Sequence, residues 1–436
     1  KINTMTKIKN IIFFLFLGLI SAIPALKCNG QCEFIDDAAY YWARTNEFVK
    51  GFWQIGNPYF YKHRGDLGVS FFIPDWLSAV PGSFFIWPVT TAVLIFILLK
   101  QFKVSGKLLY LGTVFCLLPV YNFIVRPTSL QTIYPFFLLF LIAVKAQKTW
   151  LITISSALTF YIYPYLWQLV ILIILLNFNK KYILIPLLAL PALFYLYLQI
   201  TSPYYWETMT RIGLVLTHLP AVASFYFFLL LSIPVFFLRR EKFIITFYLA
   251  FSILLFSNVI TGKELETANH VGRFVILFGS ICIVYLISLS KKYILLAILW
   301  LIIFSSNFSA LNFNPIPRSK ISYNYVLFDP RGGLQLMSSD ELLERYLVWK
   351  YPEKLTIEKL FTDFRMYAGT GPAIHQVAQY NYRVRLCLLF RQNNCGEIKD
   401  ILSFYGQGYF QNILTRYNSE IVPNIDKYYL KYRVQK

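Results

Sequence analysis

Apolar runs long enough to cross a bilayer recur from near the N-terminus to about Phe308, and then stop. A crossing takes on the order of 20 mostly apolar residues, sometimes fewer, and a backbone in lipid must satisfy its own N–H and C=O groups. Each run is therefore read as a helix. Eleven are distinguishable, centred on Ile11–Ile23, Phe84–Leu99, Leu108–Ile124, Leu130–Val144, Trp150–Tyr163, Leu166–Phe178, Tyr182–Gln199, Ala221–Leu238, Phe243–Ile260, Phe274–Leu289 and Tyr293–Phe304. With 57% hydrophobic and 14% charged residues among 436, the chain is neither an ordinary water-soluble domain nor disordered, collagenous or a disulfide miniprotein. The expected fold class is an all-α polytopic membrane protein with about 11 transmembrane helices.

Sidedness follows from the short loops, because Lys and Arg mark the cytoplasmic face. Lys7 and Lys9 precede the first run. Lys100, Lys103 and Lys107 follow the second, Lys145 and Lys148 the fourth, and Lys180 and Lys181 the sixth; Arg239, Arg240 and Lys242 follow the eighth, and Lys291 and Lys292 the tenth. Every even-numbered exit is basic. This predicts a multi-pass plasma-membrane protein with a cytoplasmic N-terminus. A transmembrane domain over 1–308 contains a large first extracytoplasmic loop over 28–83, and a small extracytoplasmic domain follows over 309–436. The net charge of +20 then acquires a location: the cytoplasmic positions hold 15 Lys and Arg against Glu241 alone, and the tail holds 17 against 11 acids. Most of the excess is an orientation signal, and no nucleic-acid partner is implied.

Two stretches admit two readings. Thr149–Asn179 offers about 30 residues for two crossings that would comfortably take about 40. It is either a tight hairpin turning at Tyr163-Pro164-Tyr165 or one helix kinked at Pro164, and the charge rule favours the hairpin. The first run, with its basic start and with Ala22 and Ala25 at small-residue spacing, also fits a cleaved secretory leader. The loop that follows lies outside in both cases.

Cysteines bear on sidedness independently. Cys28 and Cys32 fall in the first outer loop and Cys387 and Cys395 in the tail, an even number that suits one or two disulfides in an oxidising compartment; four unrelated thiols are the other reading. Inside the runs there are almost no ionisable residues, which argues against an ion-coupled carrier.

Chemistry, if the chain performs any, belongs to the outer face, where all four histidines (His63, His218, His270, His375) fall. Asp36-Asp37 opens a predicted helix through Phe52 in the first loop. The pair fits a general base toward a hydroxyl or amine acceptor, or a ligand pair for a divalent cation such as Mg or Mn; it also fits a plain N-cap with a first-turn acid. Lys62, His63 and Arg64 follow about 25 residues later behind a Gly-Asn-Pro turn. A carboxylate base near clustered cations suits transfer from a phosphate-activated donor, in which the base takes the acceptor proton and the cations stabilise the departing phosphate. The same three residues also fit an interfacial face for lipid headgroups. Arg126, before Pro127, can reach a phosphate bidentately or simply snorkel. His270 and Arg273, three apart, share one face of a helix entering the membrane. Tyr40, Tyr59 and Trp206 are candidates for a sugar platform, with an interfacial aromatic belt as the alternative.

On these residues the chain resembles the GT-C class of membrane glycosyltransferases. The resemblance lies in the topology, in the run DDAAYYWARTNEFVKGFWQIGNPYFYKHR followed by PDWL, and in the later RPTSLQ and NHVGR. It implies that the first-loop acid of the class falls on Asp37 or Asp36, that the donor is a sugar on a polyprenyl phosphate or diphosphate, and that the acceptor is extracytoplasmic. The oligosaccharyltransferase signature Trp-Trp-Asp-Tyr-Gly is absent, which argues against asparagine glycosylation and that subgroup's metal site. Two other functions compete: a lipid or polysaccharide transporter or flippase, which predicts polar span linings and a repeat between halves, and an O-antigen polymerase or ligase, which predicts its large outer loop late in the chain. The tail, with helical patterns at Ser339–Trp349, Thr356–Tyr367 and Ala373–Phe390 and a turn at Asp329-Pro330-Arg331-Gly332-Gly333, reads as mainly α.

Overall fold

The structure is a computed structural model that describes residues 2–26, 32–33, 48, 73–124, 129–177, 179–201, 214–265, 267–305, 316–317, 325–329 and 333–337. The predicted tail helices lie outside the described residues. Two compact units are present, one comprising Lys1–Gly30, Ser70–Leu198 and Gly213–Pro315, the other Gln31–Val69, Gln199–Ile212 and Ile316–Lys436.

The first unit is helical, and a helix falls on each of the eleven apolar runs. In chain order the helices are α1 (Ile2–Leu26), α2 (Ile73–Ala79), α3 (Ser83–Gln101), α4 (Gly106–Leu117), α5 (Tyr121–Ile124), α6 (Ser129–Lys145), α7 (Thr149–Phe160) and α8 (Pro164–Leu176). They continue with α9 (Leu184–Leu188), α10 (Leu190–Ile200), α11 (Val222–Phe237), α12 (Lys242–Leu255), α13 (Ser257–Thr261), α14 (Thr267–Leu289) and α15 (Ile294–Ile303). Among the described residues, three stretches are long and apolar enough to cross a membrane: Ser83–Gln101, Gly106–Ile124 and Thr267–Leu289. A fourth candidate, Lys180–Leu188 with Leu190–Ile200, is bent by 60°. Shorter apolar helices, of 10–17 residues, lie over Gln131–Lys145, Thr149–Phe160, Pro164–Leu176, Val222–Phe237 and Lys242–Leu255. Outward-facing side chains on α1, α9, α10, α11 and α15 are mostly Ile, Leu and Phe, a surface compatible with lipid and costly in water.

Side-chain contacts fix the helix directions. α1 runs parallel to α4, since the Tyr110 hydroxyl donates to Asn10 Oδ1 at 2.6 Å near their starts and Tyr121, just past α4, donates to Ile20 O at 3.2 Å. α1 runs antiparallel to α3, with Phe14 against Phe96 and Gly18 against Phe85 and Val89. α14 is the central helix, its residues from Phe274 to Val284 almost all buried. It lies antiparallel to α4, where Gly112 meets Val284, and to α12, where Phe247 and Phe251 pack on Phe278. Gly279 admits the fully buried Trp300 of α15, whose indole N–H donates to Ser280 Oγ at 2.9 Å.

Two breaks explain where periodicity alone misplaces boundaries. The run Phe243–Ile260 is two helices, bent at Phe256, and the carbonyl of Leu255 freed there accepts from the buried Ser224 Oγ at 2.7 Å. Between α7 and α8 the chain turns at Tyr161 and Ile162, and Phe160 stacks on Trp167 at 5.4 Å. The Lys180–Ile183 turn and α9 also pack on α7, with Tyr161 donating to Leu188 O at 2.8 Å; a chain returning along α8 permits this.

The described strands are short. β2 (Leu214–Leu216) pairs antiparallel with β3 (Lys263–Leu265), Val215 opposite Glu264. In the second unit, β1 (Cys32–Glu33) pairs antiparallel with β4 (Ile316–Pro317), joining the start of the first long loop to the start of the tail. There too β5 (Tyr325–Asp329) and β6 (Gly333–Met337) form an antiparallel pair, Asp329 opposite Gly333. Asp329 and Gly333, the ends of the predicted turn, are thus opposite each other, and the helical patterns expected for the tail lie outside the described residues.

Candidate functional site at the start of α14

The β2–β3 pair delivers the chain to α14. Gly262 takes φ +68°, a left-handed conformation, and a Cβ there would also meet the His218 imidazole at 2.8 Å. Asn258 donates to Thr217 O (3.3 Å) and Leu219 O (2.7 Å), and a His218 ring nitrogen lies 2.9 Å from Val259 O, so the two loops form one folded rim. Glu264 Oε1 accepts from the Thr267 N–H at 3.0 Å and satisfies one of the free donors at the start of α14.

One turn further on stands His270. Its Nδ1 is hydrogen-bonded to the Tyr163 hydroxyl, and the Tyr165 ring stacks on the imidazole at 4.2 Å with an interplanar angle of 4°. Pro164 arranges this locally. It occupies the first position of α8, where its missing N–H costs nothing, and it forces Tyr163 before it into an extended backbone (φ −158°, ψ 128°). Tyr163 and Tyr165 are both largely buried. Arg273, on the same face as His270, places its guanidinium 5.1 Å from the Phe123 ring. The buried Tyr134 of α6 points at the Arg273 carbonyl, 3.5 Å away, and lies within electrostatic reach of Arg273 and Tyr163.

His270 stands at the end of the first turn of α14, where the helix dipole presents positive potential, and Arg273 adds its guanidinium one turn further along. An arginine and a histidine beside a helix start are groups suited to an anion. Gln131, the last residue of RPTSLQ, adds to the picture. It is 1% exposed, and neither amide atom has a hydrogen-bond partner. It precedes Tyr134 by three residues, which places it on the same face of α6, one turn nearer the helix start.

Of the residues singled out from sequence, His270 and Arg273 are brought together. Asp36, Asp37, Tyr40, Tyr59, Lys62, His63, Arg64, Arg126, Trp206, Cys28, Cys387 and Cys395 lie outside the described residues, and Cys32 is described only as backbone in β1. Gly272 of NHVGR has a packing role, since a Cβ would meet the Phe227 ring of α11 at 2.3 Å. Sequence reasoning passed over Tyr163, Tyr165, Tyr134 and Gln131. It also passed over Asp75 of PDWL, which is 4% exposed; Asp75 and Glu264 are the two buried carboxylates among the described residues. No group of three or more His, Cys, Asp or Glu suited to a metal ion occurs among the described residues.

Known protein families, characterised proteins and solved structures contain no match to this chain.

Proposed function

We propose that the protein is an integral-membrane glycosyltransferase of GT-C type that moves a sugar from a polyprenyl-phosphate-linked donor to an extracytoplasmic lipid, glycan or protein acceptor. The cluster of His270 and Arg273 with Tyr163, Tyr165 and Tyr134 at the start of α14 carries this reading. It combines a guanidinium and an imidazole for a phosphate with aromatic rings suited to a sugar. Asp37 or Asp36 is the base for the acceptor hydroxyl, or a ligand for a divalent cation, and the displacement inverts the sugar. Lys62, His63, Arg64 and Arg126, which lie outside the described residues, are the further cations proposed to bind the donor phosphate. Two further observations support the reading. The β1–β4 pair ties the first long loop to the tail, as expected if both lie outside. The buried carboxylates among the described residues, Asp75 and Glu264, stand at or just before helix starts, away from mid-helix positions where an ion-coupled carrier would use them.

The test is transfer in proteoliposomes from labelled polyprenyl-phosphate sugars. His270→Ala and Arg273→Ala are each expected to raise donor KM about tenfold or more, since a charge-assisted hydrogen bond contributes roughly 1.5–3 kcal/mol. Unchanged donor kinetics in both variants would remove the cluster from the site.

A further inference from the structure

We propose that Gln131 is a specificity-determining residue of the donor site, its buried carboxamide hydrogen-bonding a hydroxyl or amide group of the transferred sugar. The inference rests on the reading of the protein as a transferase of lipid-linked sugars, and it concerns the sugar end of the donor rather than its phosphate.

Gln131 is 1% exposed, and neither Nε2 nor Oε1 has a hydrogen-bond partner among the described residues. A carboxamide can make up to about four hydrogen bonds, so burial with none is costly. A group stranded in this way marks a place that a ligand or a water completes. Other buried hydroxyls in the helices differ: Thr91, Thr113, Thr153, Ser155 and Thr159 each donate to a carbonyl three or four residues back. Among the described residues, only Gln131 has both ends of an amide stranded.

The main chain adds to the same position. Pro135 stands inside α6, and having no N–H it leaves the carbonyl of Gln131, four residues back, without its helical bond. Gln131 thus offers two acceptor oxygens and an NH2 donor at one point in α6. Two acceptors disfavour an ionised phosphate, which brings charge and no proton. They suit a neutral group that both donates and accepts, as a sugar hydroxyl or an acetamido group does.

The place of Gln131 in the fold is consistent with that role. α6 and α7 pack together across the short turn 146–148 and run antiparallel, so the start of α6 lies level with the end of α7, just before Tyr163. Tyr134, one turn along α6 on the same face as Gln131, points at the Arg273 carbonyl 3.5 Å away. Gln131 therefore stands beside the cluster assigned to the phosphate, where the sugar of the same donor is within reach.

The experiment uses the intact protein in nanodiscs and measures binding of bare polyprenyl phosphate and of the same lipid carrying glucose, mannose, N-acetylglucosamine or arabinose. The unsubstituted protein is expected to bind at least one sugar-bearing lipid more tightly than the bare one. Gln131→Met keeps the bulk of the side chain and removes its hydrogen-bonding groups. It should weaken binding of the preferred lipid about tenfold and leave that of the bare lipid unchanged. Its melting temperature without ligand should rise, because a stranded amide has gone. Pro135→Ala gives the Gln131 carbonyl an N–H partner while keeping the carboxamide. It should reduce the same preference about fivefold, and it carries the test if Gln131→Met does not fold.

A sugar preference that survives either substitution overturns the inference; with a lowered melting temperature in Gln131→Met, it would assign the amide to a buried water. Equal weakening of bare and sugar-bearing lipids also overturns it, as the mark of a merely structural role. So does an unsubstituted protein that binds the bare lipid and shows no sugar preference. Failure of the unsubstituted protein to bind bare polyprenyl phosphate would sink the phosphate-donor reading itself, a result separate from any change in preference.

Discussion

At the residue scale, the informative positions are those that break a local rule. Gln131 is buried with its amide unpartnered, at a desolvation cost of about 1–3 kcal/mol in the free protein. Gln131→Leu is therefore expected to raise the melting temperature in detergent while lowering donor turnover; a variant that is both less stable and fully active would contradict a ligand-contacting role. Gly272 behaves in the opposite way. A side chain there meets Phe227, so Gly272→Val should cost about 1–3 kcal/mol by forcing α11 from α14, read as a lowered melting temperature. His270 and Arg273 were legible in the sequence because a three-residue spacing on a helix start is a local pattern. Their tyrosine partners were not, because the Tyr163–His270 bond spans 107 residues and no local spacing encodes it.

At the element scale, helices were legible and their ends less so. A helix falls on each apolar run, yet the bend at Phe256 involves Ser224, which no local pattern marks and which donates to Leu255 O from another helix. Strands were missed at Tyr325–Asp329 and Gly333–Met337, although aromatic and aliphatic residues flanking Asp-Pro-Arg-Gly-Gly are a hairpin signal. At the end of α14 remote from His270, Tyr285 donates to Glu241 Oε1 at 3.0 Å, and Lys145 Nζ lies 3.7 Å from Glu241 Oε2 and 4.3 Å from the Phe102 ring centre. This clasp joins the last turns of α3, α6 and α14 to the start of α12. The ion pair is partly exposed, so a double-mutant cycle of Lys145→Met and Glu241→Gln should give a coupling of about 0.2–1 kcal/mol that shrinks with salt. A coupling near zero at low salt would reduce the clasp to packing alone.

At the scale of the whole molecule, the two ends of the first unit differ chemically. From His270 to Tyr285 is about 22 Å along α14, at 1.5 Å per residue, roughly three quarters of the ~30 Å thickness of a hydrocarbon core. One end gathers Lys145, Glu241 and Tyr285 beside the basic loops; the other gathers histidine, arginine and tyrosines. If these ends are the cytoplasmic and outer faces, a membrane-impermeant thiol reagent applied to whole cells will modify a cysteine placed at position 62 and spare one at 181. The reverse pattern would invert the topology and with it the assignment of every site residue. The proposed reaction is transfer from a phosphate-linked lipid donor with Asp36 or Asp37 as the essential carboxylate. Its most direct test is simultaneous measurement of sugar transfer and released polyprenyl phosphate or diphosphate in proteoliposomes, comparing the unsubstituted protein with the Asp36→Asn, Asp37→Asn double variant. The account predicts stoichiometric transfer and release that the double variant loses by at least about a hundredfold; full activity in that variant would contradict it.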